Sequence, residues 1–358
     1  MEKIYVNTGS RPYYIYITRK DWQPFATILN DHVRAKKLLV ICDENVYPLY
    51  YPTLDDILTR HGYEHSVVII PPGENSKSLQ WAQYLYTAAL DAHLNRQSSI
   101  IALGGGVVGD ISGFIAATYM RGIGLIQIPT TLLAQIDSSI GGKVAVNHPA
   151  AKNIIGSFYQ PHMVYINVDT LDSLPRRGFA GGMAELIKYG CIWSFEFFNW
   201  IEENIESILA LNTDTLMHAI HKSCEIKSRI VEADETEEDI RVILNFGHTI
   251  GHAIEAATDY KHYTHGEGVA LGMVYEAKLA HCLGLIELKY VEQLIKLLKR
   301  CSLPTKLKEI DSNLIIDKMA LDKKNHGDTI VFVLPTGAGT VDTFTDIDNN
   351  LLYEVLSN

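Results

Sequence analysis

Nowhere in this chain of 358 residues is there an apolar run approaching the ~20 residues that a bilayer-spanning helix needs. Its start, MEKIYVNTGSRPYY, places no basic region before an apolar stretch, so a secretory leader is not expected. Cysteine is scarce as well. Cys42, Cys191, Cys224, Cys282 and Cys301 are odd in number, scattered and free of CxxC spacing, which argues against a disulfide framework and for a reducing compartment. A cytoplasmic protein is the expectation. Positive charge is also in short supply: 31 Lys and Arg against 42 Asp and Glu leave a formal charge of -11. Nucleic acid and anionic membrane surfaces reward a basic face, so neither is an expected partner. Any local group of cations must then serve a particular purpose.

What is present is apolar material for a substantial core, at 47% of residues. The length exceeds the ~250–300 residues at which single cores stop growing, so two domains are expected. The first half alternates β-rich runs with helical segments: YYIYI (13–17), KKLLVIC (36–42), HSVVII (65–70), SSIIAL (98–103), GLIQI (124–128) and MVYINV (163–168). Runs apolar on both faces and separated by helices such as 78–93 predict a parallel α/β sheet. From about residue 169 the pattern changes to long helical windows at 197–211, 267–284 and 290–300. The expected boundary therefore separates residues 1–168 from a mostly helical 169–358, with one strand-like run, TIVFVLP (329–335), assigned to neither. No repeats or low-complexity tracts occur.

The run SIIALGGGVVGDISGF (99–114) leads from a strand into GxGxxG at Gly104, Gly106 and Gly109. Glycines there let backbone amides approach a pyrophosphate, and the helix that follows adds its positive end. Such strand exits also serve as plain turns. The usual fingerprint lies in the first βα turn with an acidic residue about 20 residues on; here at least two strands precede it. Asp43, closing LLVICD, is the acidic candidate, which implies a nucleotide site assembled from several strand ends.

A second constellation lies in LNFGHTIGHAIE (244–255). On a continuous helix Arg241, Asn245, His248 and His252 would share one face, while Ile243, Phe246, Ile250 and Ile254 pack elsewhere. A lone histidine is usually a satisfied core or surface residue. Two at i, i+4, with His262 and His265 in HYTHGEG and Glu185 in AGGMAELIKYG, read instead as a metal centre of two histidines and one glutamate that keeps a position open. Spacing leaves open which two histidines bind. HExxH is absent, since Thr249 follows His248, and a metalloprotease is excluded. The same segments hold Arg121, Lys143, Lys152, Lys188, Lys227, Arg241 and Lys323-Lys324, cations suited to an anionic substrate bearing phosphate or carboxylate.

DENVYPLYY, PPGENSKS, GGGVVGDISGFIAATYMRG, IPTTLLAQIDSSIGGKVAVN, KNIIGSFYQP, GGMAELIKYG, LNFGHTIGHAIE, HGEGVALGM and LDKKNHGDTIVFVLP occur in this order. With them the chain resembles the 3-dehydroquinate synthase family over nearly its whole length. The resemblance implies an N-terminal Rossmann-like NAD domain (1–168), a helical metal- and substrate-binding domain (169–358), an active site in the cleft between them and a homodimer. It implies Glu185, His248 and His265 as ligands of Zn2+ or Co2+, with His252 left for the substrate's phosphate or a bridging water. NAD would meet Asp43, Asn45, Glu74, Lys77, Gly105, Gly106, Val107, Asp110, Thr130, Thr131 and the segment Thr170 to Leu174, including Ser173. Substrate would meet Asp137, Lys143, Asn153, Lys188, Lys227, Arg241, Asn245, His252 and one of Lys323 or Lys324. Lys143 is also counted with the cofactor, Lys152 lies beside both ligands, and Arg121 reaches across from the other subunit. The implied reaction takes 3-deoxy-D-arabino-heptulosonate 7-phosphate to 3-dehydroquinate and phosphate. The alternatives are a 2-deoxy-scyllo-inosose synthase-like cyclase, a metal-dependent polyol dehydrogenase, and a catalytically silent NAD-binding scaffold. Asn167 and Gly178 stand where aspartate and glutamate are expected near the hinge, and Gly268 where alanine is usual.

Overall fold

A computed structural model describes the chain except residues 21, 309, 327, 328 and 358 and the side chains of residues 321–326. Two compact units emerge: Met1–Leu174 with Leu216–Thr236, and Pro175–Thr215 with Glu237–Asn358. The first change of unit falls six residues beyond the boundary expected at 168. The return of residues 216–236 to the first unit has no counterpart in that contiguous division.

The first unit runs β1 (Glu2–Val6), β2 (Tyr13–Thr18), α1 (Pro24–His32), β3 (Lys37–Asp43), α2 (Tyr47–Arg60), β4 (Glu64–Ile70), α3 (Leu79–Asp91), β5 (Ser99–Gly104), α4 (Gly106–Thr118), β6 (Gly124–Pro129), β7 (Lys143–His148), β8 (Ala151–Phe158) and β9 (Met163–Asn167). Seven strands form one sheet in the order β1-β2-β9-β6-β5-β3-β4, and β7 and β8 make a separate hairpin. All neighbours in the large sheet pair parallel except β1 with β2. Successive strand residues point to opposite faces. Accordingly Leu38, Val40 and Cys42 pack with Phe25 of α1 and Leu54, Ile57 and Leu58 of α2. Leu39 and Ile41 pack with Leu85 of α3 and Val108, Ile111 and Ile115 of α4. Burial on both faces is why these strands read as unbroken apolar runs. The edge strand β1 and the β7–β8 hairpin, which lack that signature, have no counterpart among the sequence-predicted strands.

β3 has β4 on one side and β5 on the other, so the chain reverses its direction of travel across the sheet there. Such a reversal opens a crevice at the carboxyl ends of the strands, the usual place for a ligand in an open α/β sheet. Cys42 pairs with Leu103, and Gly104 with Pro129, so Asp43, the glycine loop and Thr130 lie side by side at three adjacent strand ends. The glycine loop thus sits on the fourth parallel strand in chain order because that strand, not the first, adjoins the reversal.

The rest of the chain holds α5 (Arg176–Ile192), α6 (Phe195–Leu209), α7 (Thr213–Ala233, mostly in the first unit), α8 (His248–Ala257), α9 (His265–Cys282), α10 (Leu288–Arg300), α11 (Ser312–His326), β10 (Phe332–Gly337), β11 (Thr340–Phe344) and α12 (Asn349–Ser357). The strand-like run near the C-terminus is β10, paired antiparallel with β11. Its Phe332 and Leu334 join Ile250 and Ile254 of α8 and Leu271 and Leu279 of α9 in the core of the second unit. Among the described residues no helix is long and apolar enough to cross a membrane. Cys42, Cys191, Cys224 and Cys301 are buried and unbridged, and Cys282 is exposed.

Candidate active site

The polar stripe expected on one continuous helix does not exist as such. Residues Ile240–Asn245 form a 3₁₀ turn, Gly247 takes a left-handed φ of 83°, and α8 begins only at His248. The break has a steric cause. A Cβ on Gly247 would lie 2.6 Å from Met273 Cγ and 2.8 Å from the Val269 carbonyl, so only glycine can make this turn against α9. The Gly247 N–H donates to Glu276 of α9, and Ile250 N–H donates to the same carboxylate at 3.2 Å. Glu276 is wholly buried and raised to about 8, by burial above all. It anchors the start of the helix that carries His248 and His252.

Close backbone approach also brings α5 and α9 together. A Cβ on Gly266 would fall 2.2 Å from the Gly181 carbonyl, so the residue after His265 touches the turn of α5 that precedes Glu185. His265 opens α9, where Glu267 accepts the Thr264 N–H at 2.8 Å and is held by Arg177 at 2.7 Å. The ligand atoms of Glu185, His248 and His265 consequently lie within 4.8 Å of one another. Nε2 of His248 is 3.4 Å and Nε2 of His265 3.8 Å from Glu185 Oε1.

Three features fit these residues to a divalent cation. Atoms bound about 2.0–2.2 Å from a tetrahedral ion sit about 3.3–3.5 Å apart, close to the spacings found here. Glu185 is fully buried and, among the described residues, neither of its oxygens has a hydrogen bond of good geometry, although the Lys188 ammonium lies against Oε2. Both imidazoles face acceptors through Nδ1, His248 at the Phe246 carbonyl (3.3 Å) and His265 at Glu255 Oε1 (3.0 Å). That places the proton on Nδ1 and leaves Nε2 as the ligand atom. Burial, then Lys188 and the neighbouring imidazoles, hold His248 well below its ordinary value and so in the neutral form a metal needs.

A second grouping, His252, Glu255 and His265, also comes within 4.8 Å. In it, Nδ1 of His265 already lies 3.0 Å from Glu255 Oε1. His252 itself is exposed, its ring 5.2 Å from that of His248 and 5.8 Å from that of His265. His262 stacks edge-on with Tyr263 and belongs to neither group. Glu255, absent from the sequence-predicted set, closes the very motif LNFGHTIGHAIE; one turn beyond His252, it was the available signal. Gly268 leaves room for it, since a methyl there would lie 3.1 Å from Glu255 Cγ. Arg241 is 1% exposed, and Asn245 Nδ2 donates to Glu237 at 3.4 Å.

In the first unit the Lys77 ammonium bridges Asp110 and Asn153. Burial raises the Asp110 carboxyl, with Lys77 pulling it down. Asn153, like Arg121, adopts a left-handed backbone (φ 57° and 66°), a strained state for residues other than glycine. Lys227 of α7 donates to both the carbonyl and the carboxylate of Asp137 at 2.6 Å. Asp43 accepts the N–H groups of Asn45 and Val46 in the turn that leads from β3 to α2, while Glu74 accepts from Asn147 at 2.8 Å. Gly105 and Gly106 form a cradle in which added methyls would meet Thr131 and Ser138 at 3.1 and 3.0 Å, and Val107 follows in the first turn of α4. The buried Thr130 hydroxyl has no hydrogen-bond partner among the described residues. Both observations fit a bound nucleotide. Gln135, unmarked in the sequence, donates to Pro129 O, Asn167 O and Thr170 Oγ1, tying the ends of β6 and β9 together. Asn167 accepts the Asp169 N–H, the capping role an aspartate would fill. Ser173 meets Tyr50, and Leu174 follows as the last residue of this stretch of the first unit. Lys143 and Lys152 stand on the β7–β8 hairpin. The side chains of Lys323 and Lys324 lie outside the described residues.

Residues 67–181 match the family model for the 3-dehydroquinate synthase N-terminal region and residues 182–325 that for its C-terminal region. A 3-dehydroquinate synthase of Thermoanaerobacter sp. (strain X514) is 51% identical over 352 residues, spanning 98% of this chain and 99% of that one. The crystal structure of a 2-deoxy-scyllo-inosose synthase complexed with carbaglucose-6-phosphate, NAD+ and Co2+ superposes with a TM-score of 0.90 at 27% identity, covering 99% of both chains. Glycerol dehydrogenase from Schizosaccharomyces pombe shares the fold at a TM-score of 0.64 and 16% identity, covering 96% of this chain and 88% of its own. With identity near one half along almost the entire length and both regional models matched in sequence order, the chain belongs to the 3-dehydroquinate synthase family.

Proposed function

We propose that the chain converts 3-deoxy-D-arabino-heptulosonate 7-phosphate to 3-dehydroquinate and phosphate, with NAD and one divalent cation, zinc or cobalt, as resident cofactors. The observation that carries this reading is the convergence of Glu185 with the Nε2 atoms of His248 and His265 beside Lys188, in a chain of this family. When bound, the cation supplies a Lewis acid that eases loss of an alcohol proton, and NAD a reversible hydride acceptor. Glu185, His248 and His265 hold the cation; Asp43, Glu74, Lys77, Gly105, Gly106, Asp110, Thr130 and Thr131 hold the nucleotide.

The substrate set is Asp137, Lys143, Asn153, Lys188, Lys227, Arg241, Asn245 and His252. Arg241, with its planar fork, and Lys227 suit the carboxylate, while Lys143 and Asn153 suit the phosphate. In the overall change the C–O bond to phosphate breaks and a C–C bond closes the carbocycle, with no net oxidation. The departing phosphate takes the proton at elimination, and His252 relays one at ring opening. Positioning carries much of the catalysis, because one bound molecule must pass through every step without release. The working form is a cytoplasmic homodimer in which Arg121 serves a second copy.

Phosphate release from the heptulosonate with substoichiometric NAD, abolished by chelator and restored by zinc or cobalt, is the expected result. Accumulation of NADH in step with turnover would instead identify a dehydrogenase. Phosphate release from glucose 6-phosphate but not from the heptulosonate would identify an inosose-type cyclase.

A further inference from the structure

At the amino-terminal ends of the sheet's central strands, opposite the nucleotide loops, a cleft of about 410 Å³ is lined by Arg11, His32, Arg34, Arg96 and His162, with Asp31 as the only acidic residue among the described residues of its lining. Ser99 and Gly124, which begin β5 and β6, form part of its floor. Strands of this length place it roughly 20 Å from their carboxyl ends. It therefore shares no residue with the glycine loop, Asp43 or the Thr130-Thr131 pair.

The cleft collects positive charge in a chain whose total is -11. Arg34 and Arg96 are exposed and make no ion pair or hydrogen bond with described residues. Arg11 is partly buried and preset: it donates to the Gln160 carbonyl at 3.3 Å and lies 5.2 Å over the Tyr159 ring, which leaves most of its five N–H donors for another acceptor. His162 accepts the Leu125 N–H through Nδ1 at 3.2 Å, so its neutral ring carries the proton on Nε2 and is a donor there. Burial above all, and after it the adjacent Arg11, His32 and Arg34, hold this imidazole down at about 4. A solvated surface would intersperse carboxylates among such cations; here Asp31 alone offsets three guanidinium groups.

We propose that this cleft is an anion-binding site, separate from the nucleotide and metal loops, that takes a small metabolite bearing phosphate or clustered carboxylate groups. Guanidinium forks match both oxyanions in bidentate geometry, and the volume lies in the range of small-molecule sites. Occupancy would bridge the β1–β2 turn, the end of α1 and the loop before β5, and so tighten the amino-terminal edge of the sheet.

The test is calorimetric titration of inorganic pyrophosphate, and separately citrate, into the full-length protein at low ionic strength. Three proteins are compared: wild type, Arg34→Ala/Arg96→Ala, and Lys143→Ala/Arg241→Ala. The expected result is pyrophosphate uptake that survives in the Lys143/Arg241 variant but weakens by about tenfold or more in the Arg34/Arg96 variant. Both arginines are exposed, so the Arg34/Arg96 variant should keep its melting temperature and turnover. Citrate uptake at the same site would extend the ligand class to polycarboxylates, and its exclusion would confine it to phosphates. Uptake unchanged in the Arg34/Arg96 variant, or lost only in the Lys143/Arg241 variant, would overturn the proposal. So would dissociation of an oligomer in the Arg34/Arg96 variant with uptake intact, since the arginines would then serve a second copy of the chain.

Discussion

Nδ1 of His265, the first residue of α9, lies 3.0 Å from Oε1 of Glu255 on α8. The carboxylate fixes the ring's tautomer and turns its other nitrogen toward Glu185. Glu255→Ala should weaken divalent-metal binding about 10- to 100-fold, measured by competition with a chromogenic chelator. Glu255→Gln keeps an acceptor oxygen and should lose less. Equal affinities across wild type and both variants would remove Glu255 from this supporting role.

Glu185→Gln removes the one charged ligand of the proposed centre and leaves Lys188 beside a neutral amide. Bound metal, read by elemental analysis after gel filtration, should fall to a small fraction of the wild-type content, and turnover with it. NAD affinity, read by calorimetry, should be spared, because the residues proposed to hold the nucleotide belong to the other unit. Full metal content in this variant would refute the ligand assignment.

Gly247→Ala tests the turn that starts α8. Left-handed backbone costs alanine about 1–2 kcal/mol, and overlap with Met273 Cγ and the Val269 carbonyl adds about 1–3 kcal/mol. A loss of about 3 kcal/mol in urea unfolding is expected, accompanied by weaker metal binding as His248 shifts. Wild-type stability and metal affinity together would mean that the turn relaxes freely.

His162 should make stability depend on pH. Its folded value of about 4 lies below the ordinary 6.5, so the folded chain prefers the neutral ring. The associated stability is fully present above about 6.5 and is lost as pH falls from there through about 4. The shift corresponds to at most roughly 3 kcal/mol, reduced by screening at the ring's partly exposed edge. His162→Asn offers an oxygen to the Leu125 N–H but cannot titrate. Thermal melts between about pH 7 and pH 5 should therefore show a smaller decline for the variant than for wild type; parallel declines would rule His162 out as the source.

Much of this protein could be read before any coordinates. Strands apolar on both faces dictate a covered parallel sheet, because such runs are stable only between two layers of helix. Gly104 to Gly109 mark a strand exit where backbone can approach a phosphate, and motif order carries the family. The helical windows for α3, α6, α9 and α10 are set by local periodicity and were legible to within a few residues.

Other features depend on contacts between residues distant in sequence. Local spacing left open which two of His248, His252, His262 and His265 would meet Glu185; the imidazole placed beside it with His248 is His265, on another helix. Glycine contacts between α5 and α9 and between α8 and α9 decide that pairing, and they are invisible until the helices pack. The break at Gly247 is likewise enforced by Met273 and Val269 rather than by its own neighbours. Lys227 reaches Asp137 across 90 positions because part of α7 returns to the first unit, which no periodicity records. Sequence period determined which faces are buried; close approach in three dimensions decided which side chains meet, because that choice rests on steric exclusion between segments far apart along the chain.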